Sequence, residues 1–199
     1  MPYITPKIYC VESAKVAHCF YLPEERILID CGLPWEGKKI ANEVLRIGKI
    51  DHIFITHADI DHVAGLNTIH DVTKATVWIG KDDVQHMISS KRPFPKNVIH
   101  KIFAPTLPSN YKTLEEWDNS AIRVIHTPGH SEGHFAFLYD GYLFIGDIYK
   151  KKNGVLVHAK KNENLLEREK SIKLICNIDC KVWLPSHGTA HNITRSSEQ

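Results

Sequence analysis

Apolar positions along this chain recur at two periods, and blocks of one alternate with blocks of the other. Near the N-terminus, short apolar runs at Lys7–Glu12, Ala17–Leu22 and Arg26–Cys31 predict three strands, with Pro23-Glu24-Glu25 as the hairpin turn between the last two. After Gly32-Leu33-Pro34 the spacing widens: Ile40, Val44, Leu45 and Ile47 fall at helical intervals and stop at Gly48. His52–Thr56 then predicts a strand, Val63–Val72 a helix, Ala75–Gly80 a strand and Asp82–Ser90 a short helix. The proline-rich stretch Lys91–Lys112 keeps no steady period and reads as a loop, with a short strand near Ile99–Phe103. A second block follows. Ile122–Thr127, His134–Tyr139 and Tyr142–Ile145 predict strands, the last two joined by the hairpin signal Asp140-Gly141. Lys150–Lys161 reads as a basic loop with an apolar centre, Glu163–Ile178 as a helix, Lys181–Leu184 as a closing strand, and the tail beyond Thr194 as frayed. No repeat, low-complexity tract or linker interrupts this order, so a single domain over residues 1–199 is expected. Two blocks of strands with covering helices suit an α/β fold of the four-layer αββα sandwich type; pattern alone leaves an open doubly wound sheet as the alternative.

The totals narrow the class. With 199 residues, 43% of them hydrophobic, the chain can bury one substantial core. A net charge of +2 gives no global field towards nucleic acid or an anionic membrane. No run approaches the roughly 20 apolar residues of a membrane span, and Met-Pro-Tyr-Ile-Thr-Pro does not read as a secretory signal. Five cysteines without zinc-ribbon spacing read as reduced core residues, with Cys176 and Cys180 packing from one helix. A cytoplasmic location is expected. Thirteen histidines, about three times ordinary usage, direct attention to a metal or acid–base site.

The chemistry concentrates at residues 56–65, Thr-His-Ala-Asp-Ile-Asp-His-Val-Ala-Gly, directly after an apolar strand. His57, Asp59, Asp61 and His62 are four potential ligands within six positions, of the imidazole and carboxylate types that zinc, iron and manganese take. A strand-to-helix loop turns residues 57 and 59 to one side, with Asp61 and His62 opening the next helix. Taken by itself, the cluster also fits a polar helix cap with solvated histidines. Three further donors sit at predicted strand edges: His130 in the turn Pro128-Gly129-His130, Asp147 after Phe144-Ile145-Gly146, and His187 in Ser186-His187-Gly188. Strand edges are where side chains from distant segments converge.

In this order the motifs resemble the metallo-β-lactamase superfamily, of the glyoxalase II-like hydrolase type, and the likeness covers nearly the whole chain. Leu28-Ile29-Asp30-Cys31-Gly32 looks like that family's early Asp-x-Gly turn, and His57–His62 like its His-x-His-x-Asp-His signature. The resemblance implies a dinuclear site: His57, Asp59 and His130 on one ion, Asp61, His62 and His187 on the other, and Asp147 bridging. It implies two divalent metal ions, zinc first, with iron or manganese as alternatives, and a metal-activated water attacking an ester, thioester, lactone or related bond. Asp61 would be the catalytic residue that orients this water or takes its proton. Asp59 departs from the pattern, standing where most members carry a second histidine; an anionic oxygen donor hardens the site and favours iron or manganese. The alternative it motivates is an iron-dependent oxidoreductase of the same superfamily, sulfur dioxygenase-like or diiron. A nuclease ranks below both, since such relatives usually carry an added nucleic-acid-binding domain.

The remaining histidines read as structural. His134 is expected to support the site rather than bind metal, and Asp30 likewise through its turn. His18 is expected at a core or edge position, with pocket lining as its alternative. Lys150-Lys151-Lys152 and Lys160-Lys161 flank the segment after Asp147, where a basic wall would favour an anionic small-molecule substrate; a solvated charged loop is the competing reading.

Overall fold

Three runs of the chain that are apolar without alternation, Ile27-Leu28-Ile29, Ile53-Phe54-Ile55 and Val77-Trp78-Ile79, behave as strands buried on both faces, the pattern of parallel sheet. In the computed structural model, which describes residues 2–89, 102–103, 105–152, 155–158, 164–189 and 191–192, they lie at the parallel end of a seven-stranded sheet. Its strands follow chain order: β1 (Tyr3–Thr5), β2 (Ile8–Cys10), β3 (Phe20–Leu22), β4 (Ile27–Ile29), β5 (His52–Phe54), β6 (Thr76–Ile79) and β7 (Lys112–Thr113). Pairing is antiparallel from β1 to β4 and parallel from β4 to β7. Parallel neighbours need crossovers. Helix α1 (Gly37–Leu45) joins β4 to β5, and α2 (Ile60–Val63) with α3 (Leu66–Thr73) joins β5 to β6. Helix α4 (Lys81–Ser89) follows β6. Ile40 and Val44 of α1 and Leu66 and Ile69 of α3 close the core over Leu28, Ile53, Ile55 and Val77. Full burial of each such side chain is worth about 1.5–3 kcal/mol.

The helix expected over Val63–Val72 is broken in two at Gly65. Here the backbones of α1 and the α2–α3 junction meet without side chains between them: a Cβ on Gly37 would stand 2.7 Å from the Gly65 carbonyl oxygen. The Gly65 N–H turns away to the Gly32 oxygen, 3.0 Å off. The break leaves α2 as a separate single turn tied to the β4–α1 loop.

These elements form one compact unit, Met1–Trp117; Asp118–Gln199 form a second. The second unit has a five-stranded sheet in the order β14–β13–β10–β9–β8, comprising β8 (Arg123–His126), β9 (Phe135–Tyr139), β10 (Tyr142–Gly146), β13 (Val182–Pro185) and β14 (His191–Asn192). The β9–β10 turn carries positive φ at Asp140 (51°) and Gly141 (80°), the geometry a tight hairpin requires. Helix α5 (Leu165–Cys176), capped by the Asn164 side chain on the Glu167 N–H, crosses from β10 to its parallel neighbour β13. Its Ile175 packs with Leu143, Ile145 and Trp183.

Several expectations are corrected. The basic loop at Lys150–Lys161 is, where described, an antiparallel hairpin of β11 (Tyr149–Lys152) and β12 (Val155–His158). Residues 102–103 are helical, not strand; the rest of the segment at 90–101 and the tail from 193 lie outside the described residues. All five cysteines are free, and Cys19, Cys31 and Cys180 are buried as expected, but Cys10 is half-buried, Cys176 is exposed, and Cys180 lies beyond the helix that ends at Cys176 rather than on it. Among the described residues no helix is long and apolar enough to cross a membrane.

Candidate metal centre

Each unit gathers part of the predicted ligand set. In the first, β5 runs out into Thr56-His57-Ala58-Asp59, and α2 begins at once with Asp61 and His62 in its only turn. His57 and His62 are fully buried with ring centroids 3.9 Å apart. Asp30, itself buried and held in the left-handed region (φ 62°), is the hub beneath them. Its carboxylate accepts from the Thr56 N–H (2.8 Å) and the Thr56 hydroxyl (2.8 Å), and lies 2.8 Å from His62 Nδ1. The Cys31 N–H next door donates to the His62 carbonyl (2.7 Å), so the Asp30-Cys31-Gly32 turn holds α2 by side chain and backbone together.

Proton counting orients both rings. A carboxylate only accepts, so His62 Nδ1 carries a hydrogen, and in the neutral ring Nε2 then holds the lone pair. The Thr56 hydroxyl has one hydrogen, given to Asp30; the His57 Nδ1 at 3.0 Å from that oxygen must therefore donate to it, again leaving the lone pair on Nε2. Metal-binding histidines are commonly oriented in this way. Facing these atoms are carboxylates: Asp59 Oδ2 lies 3.9 Å from His57 Nε2, and Asp61 Oδ2 lies 4.0 Å from His62 Nε2. Both distances exceed a hydrogen bond. Two donors on one ion at about 2.1 Å stand roughly 3.4 Å apart at a tetrahedral angle and about 4.2 Å when opposed. Lone pairs, charge and spacing thus suit a divalent cation.

In the second unit, His130 sits in the β8–β9 turn, Asp147 just beyond β10 and His187 just beyond β13. The turn owes its shape to Gly129 (φ 135°), where a Cβ would come within 2.5 Å of the Arg168 backbone in α5. The Ser171 hydroxyl of α5 donates to the Pro128 carbonyl (2.7 Å), and buried Arg168 donates to the Ile148 carbonyl (2.8 Å). The Ser186 N–H bonds the Gly146 oxygen (3.1 Å), which sets His187 beside Asp147. The two oxygens of Asp147 face different histidines: Oδ2 is 3.9 Å from His130 Nε2, and Oδ1 is 3.5 Å from His187 Nε2.

His134 and Asp30 both lie within hydrogen-bond reach of candidate ligands. The Asp147 N–H donates to His134 Nε2 (3.3 Å), so His134 Nδ1 carries its hydrogen towards the Thr127 hydroxyl (2.8 Å). His52 takes the Trp78 indole N–H and lies in an aromatic cluster with Trp117. His70 meets Asn110, His126 meets the Glu132 carbonyl, and half-buried His18 precedes β3. Asp83, which sequence reasoning missed, is fully buried on α4 and accepts the Ala58 N–H at 2.7 Å. An aspartate in a first helical turn reads as dipole compensation and carries no other signal.

Comparison with known proteins agrees with this geometry. A family model described as the metallo-beta-lactamase superfamily matches residues 16–176, running through both units. The uncharacterized protein YobT of Bacillus subtilis is 33% identical over 155 residues, covering 72% of this chain and 66% of its own length. An atrochrysone carboxyl ACP thioesterase of Aspergillus fumigatus is 28% identical over 178 residues, covering 82% of this chain and 47% of its own. The chain thus spans less than two thirds of either relative. Among solved structures, ST1585 from Sulfolobus tokodaii, described as an archaeal metallo-beta-lactamase superfamily protein, superposes with a TM-score of 0.72 at 22% identity, over 94% of this chain and 82% of that one. The expected α/β sandwich is that fold.

Proposed function

The chain belongs to the metallo-β-lactamase superfamily, and on that premise we propose that it is a metal-dependent hydrolase acting with an activated water on an ester, thioester, lactone or related bond. The candidate donor groups are His57, His130 and Asp147 for one ion and Asp61, His62 and His187 for the other. Asp59 joins the first through its place beside His57, and Asp147, with an oxygen towards each of two histidines, bridges. Divalent ions held there would supply Lewis acidity towards a carbonyl and a water of lowered pKa. Asp61, whose side chain is 29% exposed where its neighbour His62 is buried, is the group we assign to orient the attacking water and take up its proton. No side-chain nucleophile is assigned.

The observation that carries this reading is the engagement of His57 Nδ1 by the Thr56 hydroxyl and of His62 Nδ1 by the Asp30 carboxylate, which turns two buried Nε2 atoms towards carboxylates. The similarity to a thioesterase favours acyl substrates. The basic run Lys150-Lys151-Lys152, three residues after Asp147 in the sequence, favours an anionic one.

Asp59 supports a second reading, an iron-dependent oxidoreductase, because a carboxylate beside His57 suits a harder ion than a second imidazole would. Metal content separates the two. Protein purified without added metal or chelator is expected to carry about two equivalents of zinc or manganese by mass spectrometry, and to hydrolyse a panel of thioesters and lactones. Iron, with oxygen consumption on persulfides, would put the oxidoreductase first; a chain that neither carries nor takes up metal would end both.

A further inference from the structure

We propose that Asp83 is a positioning residue that holds the His57–Asp59 segment in its metal-binding shape, independently of the Asp30 hub. The inference rests on the dinuclear reading above and concerns how its two ions are held. Strands β5 and β6 are parallel neighbours, paired from His52↔Thr76 to Phe54↔Trp78, and the Ile55 N–H extends the ladder to the Trp78 carbonyl (2.9 Å). Beyond that point the chains part. β5 runs into the ligand loop, whereas β6 turns at Gly80 into α4, with the Asp83 and Val84 N–H groups bonded back to the Gly80 oxygen. Asp83 reaches from the first turn of α4 across this divergence and accepts the Ala58 N–H at 2.7 Å. Ala58 is the residue between the two ligands, so the direction of its amide sets the separation of His57 and Asp59.

Two features make this more than helix capping. Ala58 and Asp83 are both fully buried, and a buried carboxylate is costly where a neutral acceptor would satisfy an amide. A charged acceptor makes the stronger bond and adds negative charge beside a loop that is to hold cations. The division of labour is also visible in the contacts. Asp30 holds Thr56 and His62 and, through the Thr56 hydroxyl, orients the His57 ring, while the His62 and Val63 N–H groups of α2 bond the Asp59 carbonyl (2.9 and 3.1 Å). Asp83 bonds the stretch between, at the Ala58 N–H. Its loss therefore loosens the ion at His57 and Asp59 and leaves the ion at Asp61 and His62 in place.

The test is competitive Zn²⁺ titration of the chelator-stripped full chain against a chromophoric chelator, for wild type, Asp83→Ala and Asp83→Asn. In Asp83→Ala one of two equivalents is expected to weaken about 10–100-fold, as for other groups that orient ligands, with the second within about threefold. Asp83→Asn keeps an acceptor oxygen and should restore most of the loss. Two unchanged equivalents in folded Asp83→Ala, or two weakened alike, would overturn the proposal. Should Asp83→Ala fail to fold, Asp83→Glu, which displaces the oxygen by one methylene, must show the same selective loss, and retention of both equivalents would count against it. Wild type that takes up no Zn²⁺ would overturn the dinuclear reading as well, so the two failures are told apart by which protein shows them.

Discussion

At the scale of single residues, most of this chemistry depends on which atom of a side chain is committed and to what. Asp30 takes three hydrogens from Thr56 and His62, and that commitment turns two imidazoles to present Nε2. Asp61 is the more exposed of the α2 ligands, which suits a group that handles a proton. Asp61→Ala is expected to lower kcat of the zinc-loaded protein by about 10²–10⁴, the usual worth of positioned acid–base catalysis. Rates within a few fold of wild type at equal zinc content would remove Asp61 from the mechanism. The seven ligand candidates were legible in the sequence because their chemistry is distinctive and their order is ordered by strand ends. Asp83 was not: its use depends on where β5 and β6 diverge, a fact of tertiary structure.

At the scale of elements, α1 does more than cover the sheet. Its Glu43 accepts from the Tyr9 hydroxyl (2.8 Å), the Glu12 N–H (2.6 Å) and the Ser13 N–H (2.9 Å), and buried Glu36 accepts from the Lys15 and Leu33 N–H groups. The β2–β3 loop thus takes its shape from two carboxylates of one helix. Burial works against ionisation of Glu43, but the hydrogen bonds from Ser13, Tyr9 and the Glu12 backbone outweigh it and hold the carboxyl below its ordinary value. A lowered folded pKa means stability that is fully present above the unfolded pKa, about 4.3, and lost as pH falls through the folded value. Glu43→Gln should therefore melt lower than wild type at pH 7, by about 3 °C given the solvent screening of a half-exposed group. The two melting curves should converge as pH falls through the lowered folded value; a gap that stays constant across the whole acid range would show that charge is not what Glu43 contributes.

The same scale shows why the elements were unevenly legible. β4, β5 and β6 announce themselves as unbroken apolar runs, and α1 by its helical spacing. β1, β7 and β14, with three or two residues each, are too short to show any period. The β11–β12 hairpin was hidden by its consecutive lysines, which read as solvated loop although they lie on a paired strand. Gly65 gave no sign that it would split a helix, because the reason lies in the Gly37 backbone pressed against it.

At the scale of the whole molecule, the proposed ligands are spread along the chain from His57 to His187, and this has a thermodynamic consequence that needs no assay of activity. Metal that binds only the folded chain stabilises it by mass action, by about 4 kcal/mol at a free concentration 1,000 times Kd. In a chain of this length each 1 kcal/mol moves Tm by about 2–4 °C, so chelation should lower Tm by roughly 10 °C and restored zinc should return it. His187→Ala, which removes a ligand at the end of β13 and leaves the sheet pairing untouched, should show a smaller chelator effect than wild type. Were the metal stripped without any change in Tm, the ligands would be organised equally well in the unfolded chain, which donors spread from residue 57 to residue 187 cannot be, and the site as proposed would have to be abandoned.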